Sequence, residues 1–445
     1  MAQPSEPNGA SHPSHPRTLS AATLAVHADD ILNNPSITDV APSLHVATTF
    51  RYPSSPSALK PISTWQPSDG PIPHIYSRIT NPNTTRLETL LTSLLHGPTL
   101  TYGSGLAAFH ALLVHLRPHV VAIGDGYHGC HGVLSIYQKL TSCVVVDLHD
   151  TSTWSGTDAQ GRPYQLGKGD LVHLETPLNP CGVAFDVEKF AALAHDRAAW
   201  LSIDATFAPP PLLEPFRWGA DYVMHSGTKY FGGHSDLLCG VLSVGATRRG
   251  KDEAEQAFQE LFKERFLLGG VVGSLEGWLG VRSLRTLALR VERQSRTAGE
   301  LVRWLDSLAM EGRRGENGAA GGEEGGGAAR KCVLRVEHAS LQARDLEEKE
   351  GKDNWLTRQM PNGFGPVFGL YMADMEMAKR LPSKLELFHH ATSLGGVESL
   401  IEWRTMSDDK VDTRLLRVSI GVENVDDIKA DFLQGFESLV AEMKS

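Results

Sequence analysis

Short apolar segments alternate with amphipathic segments through the first half of this chain, and this alternation constrains its fold more than any other feature. The segments with the length and apolar content of buried strands are residues 120–123, 143–146, 170–174 and 199–203. Residues 187–195, between the last two, have helical periodicity. Strands that alternate with helices are typical of a parallel sheet with crossover helices. The chain therefore predicts an α/β fold.

Shifts in composition predict four parts in this 445-residue chain, which is too long for one small core. Residues 311–331 (EGRRGENGAAGGEEGGGAARK) are too rich in glycine and charge to pack, so we expect a flexible surface loop there. After it, strands and helices follow in an α+β pattern. The predicted parts are a disordered tail (1–22), an N-terminal arm (23–74), a large α/β domain (75–290) and a C-terminal α+β domain (291–445).

Helix signals are uneven along the chain. Residues 23–50 carry few of them, so the arm is expected to be extended. Residues 84–95 place their leucines on one face and predict a helix. Residues 276–308 predict one long amphipathic helix or a helix pair.

Composition excludes several classes of protein. A net charge of −10 lacks the basic field of a nucleic-acid binder. No apolar run approaches the roughly 20 residues that span a bilayer, and the N-terminus lacks the apolar core of a secretory signal. The five cysteines are scattered and odd in number, which favours reduced thiols in a cytoplasmic protein. His128, Cys130 and His131 match no zinc spacing, so no metal is expected.

A lysine directly follows one of the predicted buried strands. Residues 221–244 (DYVMHSGTKYFGGHSDLLCGVLSV) centre on Ser226-Gly227-Thr228-Lys229. Desolvation at such a position lowers the pKa of a lysine and makes its neutral, nucleophilic amine accessible. An aldehyde cofactor requires an amine of this kind. Ser226 and Thr228 offer hydroxyl groups to a phosphate. The alternative is a surface lysine in a hairpin turn.

Two other strand ends offer groups that suit such a cofactor. Gly103-Ser104-Gly105-Leu106 opens a helix after a strand, where backbone N–H groups and the helix dipole favour an anion such as phosphate. Tyr127 follows the next strand, and its flat ring can stack on a pyridine. A core tyrosine is the alternative for Tyr127.

The remaining polar candidates lie at later strand ends and near the C-terminus. Asp204 ends a buried strand and needs a cationic partner, which a protonated pyridine nitrogen supplies. A helix N-cap is the alternative for Asp204. The amide of Asn179 can reach a phenolic oxygen, and Arg417 can bind a substrate carboxylate in a bidentate fork.

The order of these motifs resembles that of the Cys/Met-metabolism family of pyridoxal-phosphate enzymes, which includes cystathionine γ-synthases, γ-lyases and β-lyases. The resemblance runs from about residue 26 to the C-terminus. The motifs that carry it are Tyr-x-Arg (76–78), Ser-Gly-Leu (104–106), Tyr127, Glu-Thr-Pro-x-Asn-Pro (175–180), Asp-Ala-Thr (204–206), Ser-x-Thr-Lys (226–229), Ser-Leu-Gly-Gly (393–396) and Arg-Val-Ser-x-Gly (417–421). It implies pyridoxal 5'-phosphate as cofactor. It also implies fold type I, with a large α/β domain around a mainly parallel sheet and a smaller C-terminal α+β domain.

The resemblance also implies roles for residues around the cofactor ring. Lys229 resembles the lysine that holds the cofactor covalently and then moves protons. Asp204 is similar to the residue that pairs with the pyridinium nitrogen. Tyr127 resembles the stacked ring that also helps to deprotonate the substrate amine, and Asn179 resembles the ligand of the phenolic oxygen.

Phosphate and carboxylate ligands follow in the same way. The residues similar to the family's phosphate cradle are Gly105, Leu106, Ser226 and Thr228. Tyr76 and Arg78 match residues that the family donates to the phosphate from a neighbouring subunit, which implies a homodimer as the minimum unit and a tetramer as the usual one. Ser393 and Arg417 resemble the pair that binds the substrate carboxylate.

Two departures from the family pattern bear on the substrate, which is expected to be an amino acid, with a thiol as a second substrate in some members. Thr392 stands where γ-synthases and γ-lyases have an acidic residue associated with the far amino group of cystathionine. Glu402-Trp403-Arg404 replaces the usual His-Pro continuation. We expect γ-replacement or γ-elimination on an O-acylhomoserine or cystathionine-like substrate. The alternatives are a β-lyase acting on cystathionine or a cysteine conjugate, and a non-catalytic protein that binds pyridoxal phosphate.

Overall fold

A computed structural model of the protein describes residues 19–34, 36, 38–61, 64, 73–311 and 326–443. Its helices are α1 Ala21–His27, α2 Pro82–Leu95, α3 Gly105–Leu116, α4 His128–Leu140, α5 Val187–His195, α6 Gly250–Leu268, α7 Ser274–Leu284, α8 Leu287–Leu308, α9 Gly326–Cys332, α10 Ala339–Glu350, α11 Trp355–Gln359, α12 Met375–Arg380 and α13 Val425–Glu442. Its strands are β1 Thr99–Tyr102, β2 Val120–Ile123, β3 Val144–Asp147, β4 Ser155–Thr157, β5 Pro163–Gln165, β6 Leu171–Glu175, β7 Trp200–Asp204, β8 Tyr222–Ser226, β9 Gly240–Val244, β10 Val333–Glu337, β11 Val367–Met372, β12 His389–His390, β13 Leu400–Trp403 and β14 Leu415–Ser419.

The larger sheet has seven strands in the order β1-β9-β8-β7-β6-β2-β3. The neighbours from β8 through β7, β6 and β2 to β3 are parallel, whereas β9 runs antiparallel to both β8 and β1. The predicted mainly parallel α/β sheet is therefore confirmed. Because β6, β7 and β8 are parallel, the polar residues at their carboxyl ends lie at one edge of the sheet.

The second sheet has five strands in the order β10-β11-β14-β13-β12. Its pairs are antiparallel except for β12 with β13. The apolar side chains of α8, α9 and α13 pack against it in one core cluster. The α+β pattern predicted for the C-terminal region is confirmed.

The long helix α8 joins the two cores. Leu287 and Val291 near its start pack in the core of the large sheet, whereas Leu301 and Leu305 pack in the core of the C-terminal sheet. The predicted boundary between residues 290 and 291 thus falls inside a continuous helix. The prediction of a helix pair over residues 276–308 is confirmed by α7 and α8.

Helices form in two segments where none was predicted, the arm that was expected to be extended and the segment that was expected to be a flexible loop. In the arm, α1 begins after Ser20, whose side chain accepts a hydrogen bond from the Thr23 N–H, and Ala25 is buried in the core. In the predicted loop 311–331, α9 forms because Ala329 and Cys332 find an apolar surface to pack against. The rest of the predicted tail, residues 1–18, and residues 312–325 of the loop lie outside the described residues.

Candidate active site

A cavity of about 360 Å³ lies where the carboxyl ends of β6, β7 and β8 meet the C-terminal domain. All the predicted site residues except Tyr76 and Arg78 line it. Those from the large domain are Gly105, Leu106, Tyr127, Asn179, Asp204, Ser226, Thr228 and Lys229, and those from the C-terminal domain are Ser393 and Arg417. The structure therefore brings these ten predicted residues together around one cavity.

The amine of Lys229 lies in the turn that follows β8 and donates a hydrogen bond of 2.9 Å to the Ser393 hydroxyl. Burial and the nearby Arg417 together lower the pKa of Lys229 to about 8, although Glu402 opposes the shift. About a tenth of the amine is therefore neutral at pH 7 and is available as a nucleophile or a base.

The carboxylate of Asp204 ends β7 and is buried. It accepts hydrogen bonds from Thr206, at 3.0 Å from the backbone nitrogen and 2.5 Å from the hydroxyl. Burial raises the pKa of Asp204 despite these bonds. In the described part of the chain no cation forms a salt bridge with Asp204, so this carboxylate favours a cationic guest.

Glu175 holds two of the predicted residues in place, a role the sequence did not reveal. Its two carboxyl oxygens each accept a hydrogen bond of 2.7 Å, one from the backbone N–H of Tyr127 and the other from that of Asn179. Glu175 pairs with Asp204 across the β6–β7 register. Burial and this neighbouring carboxylate both raise the pKa of Glu175.

The first turn of α3 lines one end of the cavity, where its backbone N–H groups suit an anion. Ser104 caps this helix by accepting a hydrogen bond from the Ala107 N–H. The Thr206 hydroxyl accepts a hydrogen bond of 2.8 Å from the Ser226 N–H and so ties the Asp204 end of the cavity to this phosphate end. Thr228 accepts a hydrogen bond from the Cys239 N–H at 3.1 Å, which fixes the hydroxyl at the cavity wall.

Arg417 has several protein partners at the opposite side of the cavity. It donates hydrogen bonds to the Asn179 side-chain oxygen at 3.2 Å and to the Ser393 carbonyl at 3.0 Å. It also forms an ion pair of 2.6 Å with Glu402. Arg417 occupies the side-chain oxygen of Asn179. The NH₂ group of the same Asn179 amide remains able to donate a hydrogen bond to an acceptor on a ligand.

Glu402, Arg404 and Ser407 were not predicted as site residues. Arg404 and Ser407 line the cavity, and Glu402 joins them to Arg417. Glu402-Trp403-Arg404 was recognised in the sequence only as a departure from a family pattern. Nothing in its composition indicated that Arg404 lines the site and that Glu402 pairs with Arg417.

Tyr76 and Arg78 do not line the cavity of their own chain. The Tyr76 side chain is 42% exposed. Arg78 donates a hydrogen bond of 2.9 Å to the Phe266 carbonyl. The two residues therefore lie at the surface of the single chain.

Other features of the described residues bear on the excluded classes. None of the described helices is both long and apolar enough to pass through a membrane. All five cysteines are free thiols. Within the same residues no group of three or more His, Cys, Asp or Glu side chains is arranged to hold a metal ion.

The family described as Cys/Met metabolism PLP-dependent enzymes matches residues 22–311 and 331–437. The chain belongs to this family. A cystathionine γ-lyase of Saccharomyces cerevisiae is 29% identical over 439 residues, with 94% of this chain and 97% of the relative covered. A cystathionine γ-synthase of Mycobacterium tuberculosis is 31% identical over 383 residues, with 81% and 85% covered. A cystathionine β-lyase of Lactococcus lactis is 28% identical over 376 residues, with 81% and 88% covered.

Solved structures of Cys/Met metabolism enzymes have the same fold. A methionine γ-lyase from Micromonospora echinospora matches with a TM-score of 0.72 at 28% identity, over 94% of this chain and 99% of that one. The cystathionine γ-lyase from yeast matches with a TM-score of 0.73 at 26% identity, over 95% and 99%. The chain is thus a pyridoxal-phosphate-dependent lyase or synthase of the transsulfuration type that acts on amino-acid substrates.

The cavity fits the cofactor of this family, pyridoxal 5'-phosphate. Asp204 is a buried carboxylate without a cationic partner among the described residues, which suits a pyridinium nitrogen. The first turn of α3 suits a phosphate. Lys229 supplies an amine with a lowered pKa between these two ends. When bound, the cofactor withdraws electrons from the bonds at the α-carbon of an amino acid.

Proposed function

We propose that this enzyme catalyses γ-replacement or γ-elimination on an O-acylhomoserine or a cystathionine-like amino acid. The observation that carries the proposal is the position of Ser393 between Lys229 and Arg417. Its hydroxyl accepts a hydrogen bond from the Lys229 amine at 2.9 Å, and its carbonyl accepts one from Arg417 at 3.0 Å. A carboxylate bound at Arg417 would therefore place the α-carbon of its amino acid beside the Lys229 amine.

Each of five cavity residues has its own role in the proposed reaction. Arg417 and Ser393 bind and orient the substrate carboxylate. Lys229, as a neutral amine, removes the α-proton. Once it has released that proton, it removes a second one from the β-carbon, and the electrons of this C–H bond expel the γ-substituent. Asp204 keeps the cofactor nitrogen protonated. Tyr127, which lines the cavity, would stack on the cofactor ring and help to deprotonate the substrate amine.

Thr392 supports O-acylhomoserine over cystathionine as the preferred substrate. It lines the cavity next to Ser393 and carries no charge. A distal ammonium group on the substrate would find no carboxylate at this residue. An O-acylhomoserine has no distal ammonium group, so it does not require a carboxylate at this residue.

Steady-state assays separate this proposal from its alternatives. With O-acetylhomoserine and cysteine we expect cystathionine, and with O-acetylhomoserine alone we expect 2-oxobutyrate. Pyruvate from cystathionine with no 2-oxobutyrate would instead identify a β-lyase. A protein that binds the cofactor and shows no spectral change with O-acylhomoserines, cystathionine or cysteine would be non-catalytic, and the proposal would be wrong.

We also propose that the enzyme requires at least a homodimer for a complete active site, and that it works as a tetramer. The support for this assembly is the surface position of Tyr76 and Arg78, which are assigned to the phosphate of a neighbouring subunit. The proposal also places the enzyme in the cytoplasm, in keeping with five free cysteines.

A further inference from the structure

Four polar side chains form a connected group beside the substrate end of the cavity, which we call the Glu402 cluster: the buried Glu402, Arg404 and Arg417, and the exposed Ser407. One Glu402 carboxyl oxygen contacts both guanidinium groups, at 2.6 Å from Arg417 and 3.1 Å from Arg404. The other accepts a hydrogen bond of 2.7 Å from the Ser407 hydroxyl. Arg404 in turn donates a hydrogen bond to Ser407.

The charge of this cluster decides how well Arg417 can bind a carboxylate. An ion pair between Arg417 and Glu402 alone would have no net charge, and the Glu402 carboxylate would compete with an incoming carboxylate for the same guanidinium. Both groups are buried, so water screens this competition only weakly. The guanidinium of Arg404 pairs with the same Glu402 oxygen. With two arginines and one glutamate, the cluster then carries a net charge of +1.

We infer that Arg404 is a positioning residue for substrate binding, which pairs with Glu402 and so leaves Arg417 able to attract the carboxylate of the amino-acid substrate. This inference rests on the proposed function, because it assigns the substrate carboxylate to Arg417. It explains why a second arginine is buried at a site whose substrate brings one α-carboxylate.

The geometry favours an indirect role for Arg404 over direct contact with the substrate. Arg404 is only 2% exposed, so it presents little surface to a ligand. Its Nη1 atom is directed to Glu402 and Ser407. Its Nε atom is buried and has no hydrogen-bond partner among the described residues. An arginine in this setting acts through its charge and through the groups that it holds.

The experiment uses the cofactor-loaded enzyme and L-alanine, which has an α-carboxylate but no leaving group. We would measure the Kd of L-alanine by spectral titration for wild type, Arg404→Met, Glu402→Gln and the double variant. We expect Arg404→Met to weaken binding by about tenfold or more, whereas the double variant returns to within about threefold of wild type, because neutralising Glu402 removes the need for Arg404. Glu402→Gln should bind L-alanine at least as tightly as wild type.

Two controls separate charge from structural damage. Propylamine carries an amine but no carboxylate, so its Kd should be the same in wild type and Arg404→Met. Arg404→Lys keeps the charge and should bind L-alanine nearly as wild type does. The cofactor content of each variant, measured after reductive trapping, shows that only loaded, folded protein is compared.

Other outcomes would overturn either the role inferred for Arg404 or the proposed function. A double variant as weak as Arg404→Met would mean that Arg404 contacts the substrate itself, and the inference would be overturned. Unchanged L-alanine binding in Arg404→Met, or an equal loss for propylamine, would overturn it as well. Failure of the wild type to bind any amino acid would instead refute the proposed function.

Discussion

Burial of the Lys229 amine opposes its protonation and lowers its pKa from 10.5 to about 8. In the cofactor-free protein, burial of the protonated amine lowers the free energy of unfolding, and this destabilisation is complete while the folded amine is protonated. The destabilisation decreases as pH rises from the folded pKa to the unfolded one, because the unfolded chain then binds more protons than the folded chain. We expect Lys229→Met to raise the free energy of unfolding of the cofactor-free protein near neutral pH, by at most on the order of 3 kcal/mol.

Urea unfolding of both cofactor-free proteins at about pH 7 and about pH 10 tests this expectation. The advantage of Lys229→Met should be largest at the lower pH and mostly lost at the higher one. Other groups that titrate in this range are common to both proteins, so they cancel in the difference. A difference that does not change with pH would show that the amine keeps its ordinary pKa.

The same residue carries the covalent link to the cofactor in the proposed function. We expect wild type to gain a mass adduct on borohydride treatment, and Lys229→Ala to gain none and to lose turnover. Lys189→Ala is a suitable control, because Lys189 is exposed in α5 and does not line the cavity. An adduct of equal yield in Lys229→Ala would place the link on another amine.

Residues at the ends of predicted strands were the ones that sequence reasoning could locate. Lys229 and Asp204 are polar groups that directly follow apolar strands, and parallel strands bring such groups to one edge. Thr206 and Glu402 gave no such signal, because a threonine or a glutamate near a strand end is usually solvated. Their roles depend on partners that only the tertiary fold brings near, such as Ser226 for Thr206 and Arg417 for Glu402.

At the scale of elements, the approach of β9 to the start of α3 shapes the phosphate end of the cavity. A Cβ atom added to Gly240 would overlap the Ser104 carbonyl and lie 2.9 Å from the Gly105 nitrogen. The backbone of α3 would have to shift, and its first-turn N–H groups would move with it. We expect Gly240→Ala to weaken binding of pyridoxal phosphate by about tenfold or more, a change of about 1.4 kcal/mol.

Equilibrium dialysis of the cofactor against each cofactor-free variant provides the measurement. Gly132→Ala is the matched control, because a Cβ atom there meets nothing within 4 Å. It lies within α4, where alanine favours the helix over glycine. Equal cofactor affinity in Gly240→Ala and wild type would show that the close packing of β9 on α3 does not set the phosphate site.

Elements with strong periodicity were predicted well, and short elements that depend on tertiary contacts were not. The strands of the large sheet other than the edge strand β3 are buried along most of their length, so their apolar runs were visible in the sequence. The helix α9 lies at the end of a glycine-rich segment, and it is stabilised by packing of Ala329 in the core formed with α13, α8 and β10. The helix α1 similarly depends on packing against α2 and α8.

At the scale of the whole molecule, one chain holds an incomplete set of the predicted phosphate ligands. The cavity contains Lys229 and Asp204 but neither Tyr76 nor Arg78. If Arg78 completes the phosphate site of a neighbouring subunit, each active site combines the Lys229 amine of one chain with the Arg78 guanidinium of the other. Two variants that are each defective can then complement each other in a mixed dimer.

We expect Lys229→Ala and Arg78→Ala to be defective alone and to regain activity after they are mixed, dissociated and reassociated. In a mixed dimer one site would combine the intact Lys229 of one chain with the intact Arg78 of the other. Random reassociation would give about a quarter of wild-type activity, since about half of the dimers are mixed and each has one complete site. Mixing Lys229→Ala with Asp204→Asn should restore nothing, because both residues line the cavity of the same chain. No recovery in the first mixture would mean that Arg78 serves its own chain or no site at all. Recovery in the second mixture would mean that Lys229 and Asp204 do not act in the same chain.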